Sequence, residues 1–255
     1  MEDCKEVLPR ILTTALTQFD LPGHPFVKRF AAGEFSQDAI RWWAIKMLPG
    51  SNRFNQAFLK VASLIEDYRT RILMLRNIYT EHGELNPDAA HVALFMRFMR
   101  GIVCPRIDTN EDDGSFTIPE LRFKRFEVRD DEPLLFLLGK FAAIEVALPG
   151  IFVKYIEGLR RSFPGIDDHT IEYFHIHCEL DPTHTEELLQ VASRYISSEL
   201  DIEVFSSGVQ DMLTSISDMF SWMNRYLASE AYFQNLAQVS GNEPLMASNS
   251  SPIPS

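Results

Sequence analysis

The 255-residue chain carries 36 acidic against 24 basic residues, a formal charge of -12 that argues against a phosphate-backbone partner. With 45% hydrophobic and 11% aromatic residues it has enough apolar mass to bury a substantial core. Its three cysteines, Cys4, Cys104 and Cys178, are widely spaced and never CxxC, so neither a disulfide framework nor a thiolate zinc site is indicated and a reducing cytoplasm is expected.

From the N-terminus, MEDCKEVLPR is acidic and lacks an apolar signal core, so secretion is not expected. Residues 5 to 19 carry a 3.6-like apolar period. "SQDAIRWWAIKM" opens a helix with Ser36 as N-cap and Asp38 in the first turn, and Pro49-Gly50 is expected to interrupt it. A helix over Asn52 to Asp67 leads into another over Thr70 to His82, with Ile72, Leu75, Ile78 and Tyr79 marking its expected buried face. The turn "HGELNP" sets Pro87 at the next helix start, which Ala90, Leu94, Phe95, Phe98 and Met99 continue.

Residues 103 to 132 are rich in Asp, Glu, Pro and Gly and read as a long connection with a short strand or flap. Helices resume over Pro133 to Leu159, Asp168 to Glu179, Pro182 to Ser198 and Ile202 to Ala237. The apolar run at 134 to 152 approaches membrane-spanning length, but Lys140, Glu145 and Pro149 within it favour a core helix, so no membrane partner is expected. There is no internal repeat, Gly-rich phosphate loop or GxSxG elbow. The expectation is one all-α bundle of about seven to eight helices over residues 1–238, followed by a disordered tail at 239–255.

Five of the seven histidines lie in two clusters, His82 with His91 and His175 with His177 and His184. His177, Asp181 and His184 are spaced HxxxDxxH, which on a helix lies on one face and could converge imidazole, carboxylate and imidazole on one point. Such donors suit iron, manganese or zinc. The alternative is Asp181 as an N-cap with Pro182 at N1. Glu145, inside "FAAIEVALPGIF", is costly to bury without a partner; a metal would serve, and Lys140 or Lys154 is the alternative. "NIYTEHGELNPDAAHVALF" adds Glu81 and His91, with Glu84 as rival carboxylate. Together these carboxylates and imidazoles match a dinuclear ligand set spread over a helical bundle.

"NIYTEHGE" with His91, "AAIEVALPG" and "HCELDPTH" resemble the three metal-binding segments of the heme-oxygenase-like diiron oxidases, whose helical fold is shared with heme oxygenase, TenA-type thiaminases and pyrroloquinoline-quinone synthase. The similarity runs from "GHPFVKRFAAGEFSQDAIRWW" to about Ala237. It implies metal ligands at Glu81, His91, Glu145, His177, Asp181 and His184, with Glu145 bridging and Glu145 and His184 central to catalysis. It also implies two Fe(II) ions or a Mn/Fe pair, O2 as cosubstrate, an external reductant and hydrogen abstraction from a small-molecule substrate, with a homodimer compatible with the fold. Family substrates include fatty acids and amino acids; an amino acid or amino-acid-derived precursor is expected here, undergoing desaturation, oxidative C–C cleavage or nitrile formation. Arg41, Lys46, Arg97 and Arg100 are candidates to hold a substrate carboxylate. "GSNRFNQAFLK" lacks the extra carboxylate of amine-hydroxylating members, and the nearest acids are Glu66 and Asp67, which argues against N-oxygenation. A heme site is disfavoured because His24 lies outside the first helix pattern. Two rival classes stand beside this one: a metal-free enzyme of the same fold using Cys104 or Cys178 as nucleophile, and a non-catalytic helical interaction protein.

Overall fold

The computed structural model describes residues 4–102, 126 and 128–229. Eight α-helices organise them, with no strand among the described residues: α1 (Cys4–Phe19), α2 (Pro25–Ala32), α3 (Gln37–Leu64), α4 (Tyr68–Glu81), α5 (His91–Ile102), α6 (Leu134–Ser162), α7 (Glu172–Ser193) and α8 (Glu199–Ala228). Several helix starts follow the capping chemistry of the sequence. Ser36, Asp67 and Ser198 each accept a free first-turn amide, from Ala39, Thr70 and Asp201 respectively.

The most apolar helix, α6, is the axis of the bundle. It packs along α7 and α8 and against α2. Among the described residues it alone is long and apolar enough to cross a membrane, yet 67% of its most apolar window is buried inside the protein, as befits a core helix. Close approach to α8 depends on two glycines, because a Cβ at Gly139 would sit 2.1 Å from the Phe205 carbonyl oxygen and one at Gly208 would sit 2.0 Å from that of Phe136.

Four expectations are corrected. The Pro49-Gly50 pair does not break α3, which runs through both residues. Nor does Pro182 separate two helices: α7 is continuous, and Asp181 lies in its interior rather than at an N-cap. In each case one backbone hydrogen bond is lost, at a cost of about 3 kcal/mol, and burial along a long helix offsets it. The face of α4 marked by Ile72, Leu75 and Tyr79 is turned outward; Thr70, Met74, Asn77, Ile78 and Glu81 are buried instead. Helix boundaries shift, with starts at His91, Glu172 and Glu199 in place of Pro87, Asp168 and Ile202. Most of the 103–132 connection, with its expected strand or flap, and all of the tail lie outside the described residues.

Candidate metal centre

The site residues come from four helices. Glu81 ends α4 and His91 begins α5, and a tight reversal brings them together. Gly83, Glu84 and Leu85 all take left-handed backbone conformations, with φ of 63°, 55° and 69°. Only glycine fits at position 83, since a Cβ there would lie 2.4 Å from the backbone of Ala89 and Ala90. Glu84 is exposed on this turn, away from the buried cluster that Glu81 joins.

Glu145 projects from the middle of α6, and His177, Asp181 and His184 share the buried face of α7. The i, i+4, i+7 spacing has this effect because the helix stays regular through Pro182. All six side chains are buried, none above 5% exposed. Five of them form two groups with a common member, and Asp181 adjoins the second. In Glu81, His91 and His177, and again in Glu81, Glu145 and His184, one candidate ligand atom from each residue lies within 4.8 Å of the others. His91 Nδ1 is 2.9 Å from Glu81 Oε1 and 3.2 Å from His177 Nε2. His184 Nδ1 is 3.5 Å from Glu145 Oε2, 3.9 Å from Glu81 Oε1 and 3.9 Å from Asp181 Oδ1. Glu81, rather than Glu145, is therefore the carboxylate that reaches both groups.

Hydrogen bonds behind the rings settle which nitrogen faces the site. His177 Nδ1 donates to the Tyr173 carbonyl oxygen at 2.7 Å, leaving the Nε2 lone pair pointing inward. The Thr80 hydroxyl donates to the Asn77 carbonyl at 2.8 Å, so at 2.9 Å it accepts from His184 Nε2. That leaves the His184 Nδ1 lone pair bare toward Glu81, Glu145 and Asp181. Glu81 Oε1, His91 Nε2, Glu145 Oε1, both Asp181 carboxylate oxygens and His184 Nδ1 are buried without a hydrogen bond. Buried polar atoms are rarely left in this state, and a cluster of them is what a cation would satisfy.

Electrostatics agree. Burial, then the Glu145 charge, pushes the Asp181 carboxyl well above its ordinary range. Glu145 is raised first by burial, although His184 works against the rise. Burial also acts to raise Glu81, but His91 with its neighbours outweighs it and holds that carboxyl low. His177 falls to about 4, from burial and then from His91 beside it. His184 is lifted despite burial, by Glu145 and then Glu81. Lysine does not supply the missing charge: Lys140 sits 3.3 Å from Asp211 and 3.8 Å from Glu132, while Lys154 pairs with Glu157 at 3.0 Å. The residues present thus fit a divalent pair, with oxygen and imidazole donors in a dry interior.

The cluster opens on an apolar cavity of about 90 Å³, with Glu81, Glu145 and His177 in its wall. Trp43, Phe95, Ile144, Phe152, Phe174 and Met219 supply apolar lining, and Ser51, Tyr155 and Tyr173 supply hydroxyls. Aromatic and methionine residues of α3, α5 and α8 serve both core and cavity: Trp43, Phe95 and Met219 line it, while Trp42, Phe98 and Met223 are buried outside that wall. Tyr173 and Thr80 were not marked by the sequence; Tyr173 stands one helical turn before His177, which is the spacing that could have found it. The four candidate cations do not line the cavity. Arg41 binds Asp38 and the Ile102 carbonyl, Arg97 binds Glu172, and Lys46 lies over the Trp42 ring. Arg100 is exposed on α5.

Other flagged residues have local roles. His24 caps α2 through Nδ1 and meets Ser221 through Nε2. His82 Nδ1 donates to the Ile78 carbonyl, and His175 faces Asp168. Glu66 and Asp67 are exposed at the α3–α4 turn. The Cys178 thiol points at the Pro149 carbonyl, 3.7 Å away, and burial raises its pKa, opposite to what a nucleophile requires. Cys104 lies outside the described residues.

An all-helical bundle with carboxylates and imidazoles converging at its centre defines the class, a heme-oxygenase-like fold with a candidate metal centre. The chain belongs to the family described as iron-containing redox enzymes, whose sequence pattern matches residues 41–214, and is an oxidoreductase of that family. No curated protein sequence matches it. Among solved structures it is similar to a domain of unknown function with a heme oxygenase-like fold from Shewanella denitrificans, at 14% identity and TM-score 0.63, covering 91% of this chain and 97% of that one. It is also similar to a CADD-like protein of unknown function from Nostoc punctiforme, at 17% identity and TM-score 0.65, covering 89% of this chain and 99% of that one. A second structure of the Nostoc protein gives a TM-score of 0.68.

Proposed function

We propose that this chain is a non-heme diiron oxidase that uses O2 to oxidise a small organic substrate. The observation that carries the reading is the donor set: two buried groups of carboxylates and imidazoles sharing Glu81, with Glu81 Oε1, Glu145 Oε1 and His184 Nδ1 left without hydrogen bonds. Glu81, His91 and His177 would hold one iron, and Glu145, Asp181 and His184 the other, with Glu81 reaching both. A Mn/Fe pair would find the same donors acceptable. When bound, the metal pair supplies O2 reduction and the oxidising power for attack on a substrate C–H bond.

The chain's own residues do the rest. Three carboxylates offset most of the charge of two divalent ions in an interior that cannot solvate them. Thr80 and the Tyr173 carbonyl hold His184 and His177 with their lone pairs inward. Trp43, Phe95, Phe152 and Phe174 exclude water and hold an apolar substrate skeleton against Glu81, Glu145 and His177. Ser51, Tyr155 and Tyr173 are the hydroxyls available to a substrate head group, and an amino-acid-derived precursor is the substrate class put forward. The orientation of Cys178 favours this reading over a cysteine nucleophile.

The test is O2 uptake by protein loaded anaerobically with ferrous iron. Uptake is expected only after loading, and it should disappear in His184→Ala and Glu145→Ala. Loaded protein that consumes no O2, or variants that consume it at the wild-type rate, would overturn the proposal.

A further inference from the structure

Helix α4 has apolar residues on two sides. Its inward side carries Met74 and the site residue Glu81. On the opposite side Tyr68, Ile72, Leu75 and Tyr79, at i, i+4, i+7 and i+11, make one stripe with exposures of 61%, 49%, 44% and 43%. Leu64 before the helix and Leu85 after it are also exposed, at 45% and 78%. Scattered exposed apolar residues need no explanation, but a continuous stripe of this kind marks an interaction surface.

The charge around the stripe is opposite to that of the chain. Within α4 the charged residues are Arg69, Arg71 and Arg76 against Glu81, which is buried on the inward side, in a protein of net charge -12. On the helical wheel Arg69 and Arg76 flank the stripe on one side and Arg71 on the other. Arg69 rests on the Tyr68 ring and Arg76 lies 3.5 Å from Glu187. Arginine beside tyrosine is the composition of a binding hot spot. A second copy of this chain is a poor occupant. The outward side of α4 has no acid, so self-pairing would set arginines against arginines.

Position supplies the purpose. Stripe and Glu81 lie on opposite sides of one helix, whose width with side chains is about 10–12 Å. A protein seated on the stripe therefore stands one helix away from the candidate metal centre. We infer that the outward face of α4 docks an acidic one-electron carrier protein, which gives up one electron per encounter to the metal centre and leaves oxidised. The inference rests on the diiron reading for its purpose, while docking itself is measured independently of iron. Beyond the screening length of about 8 Å the overall negative charge of the chain is damped, so the local basic face decides the encounter.

The experiment uses the full chain and two acidic probes, a plant-type [2Fe–2S] ferredoxin and a flavodoxin, with binding followed by surface plasmon resonance. Iron content and oligomeric state are measured on the same samples. At least one probe should bind, and its affinity should fall at least tenfold between low and physiological salt. Arg69→Glu/Arg76→Glu and Ile72→Ser/Leu75→Ser should each weaken binding at least tenfold with iron content unchanged. Binding of neither probe, or variants that bind like the wild type, would overturn the inference. So would a wild-type dimer that Ile72→Ser/Leu75→Ser dissolves, since the second copy would then be the occupant. Loss of iron from the wild type with docking intact would count against the diiron reading and against electron delivery, but not against the docking surface.

Discussion

Replacing Thr80 by valine removes one oxygen and almost no volume, and the structure says what that oxygen does. It accepts the Nε2 proton of His184 at 2.9 Å while its own proton goes to the Asn77 carbonyl. In Thr80→Val a buried imidazole N–H loses its acceptor, at a cost of about 1–3 kcal/mol. The ring can avoid that cost by moving its proton to Nδ1, where Glu145 stands 3.5 Å away to accept it. Such a proton occupies the lone pair a metal would need. Loss of a partner of this kind typically weakens metal binding about 10–100-fold, or about 1.4–2.7 kcal/mol. Anaerobic Fe(II) titration against a competing chelator measures this directly, and Co(II) d–d absorption reports the ligand field. Thr80→Val should bind one metal at least tenfold more weakly, and Thr80→Ser should restore wild-type affinity. A Thr80→Val protein that is folded by circular dichroism and binds both metals within twofold of the wild type would show that the Thr80 hydroxyl does not orient His184 for metal.

Asp181→Asn should separate stability from metal binding: removing a fully buried carboxylate with no hydrogen bond should stabilise the metal-free protein by roughly 1–3 kcal/mol in urea denaturation while lowering its iron content. The pH dependence of the metal-free protein follows from the direction of the shifts. His184 is raised above its ordinary 6.5, so above pH 6.5 it holds its proton in the folded state longer than in the unfolded chain, while Asp181 and Glu145, raised from the ordinary carboxylate range, add a loss of the same sign that begins at lower pH. Thermal stability should therefore fall as pH rises from 6.5 to 8.5, and metal loading should flatten that slope. Below pH 6.5 His177, depressed to about 4, acts the other way, because the unfolded chain takes up its proton first; its contribution is lost as pH falls toward 4. Gly83→Ala forces a Cβ onto the backbone of Ala89 and Ala90 at a positive φ, so a loss of about 2 kcal/mol or more and weaker iron binding are expected by urea titration and metal analysis.

What the sequence made legible depended on how local the signal was. His177, Asp181 and His184 could be grouped because their spacing alone puts them on one face once a helix is assumed. Glu145 was conspicuous because a carboxylate in an apolar run needs a partner, and the structure brings His184 to it. Proline misled at positions 49 and 182, where its local penalty is smaller than the burial gained along a helix of 28 or 22 residues. The periodicity of α4 was real but named the wrong side. Its inward face is partly polar, with Thr70, Asn77 and Glu81 buried, so hydrophobicity pointed to the stripe that faces out. Choosing between Glu81 and Glu84 required the three successive left-handed residues of the turn, which composition does not reveal. Thr80 was invisible for a similar reason, since its role exists only through His184, 104 positions away.

Glu81 is proposed to serve two metals at once. Anaerobic loading with ⁵⁷Fe(II), followed by metal analysis and Mössbauer spectroscopy of the wild type and of Glu81→Ala, tests it most directly. About two irons per chain as a coupled pair, with both lost from Glu81→Ala, is the predicted result. A single iron in the wild type, or a pair that survives in Glu81→Ala, would contradict it.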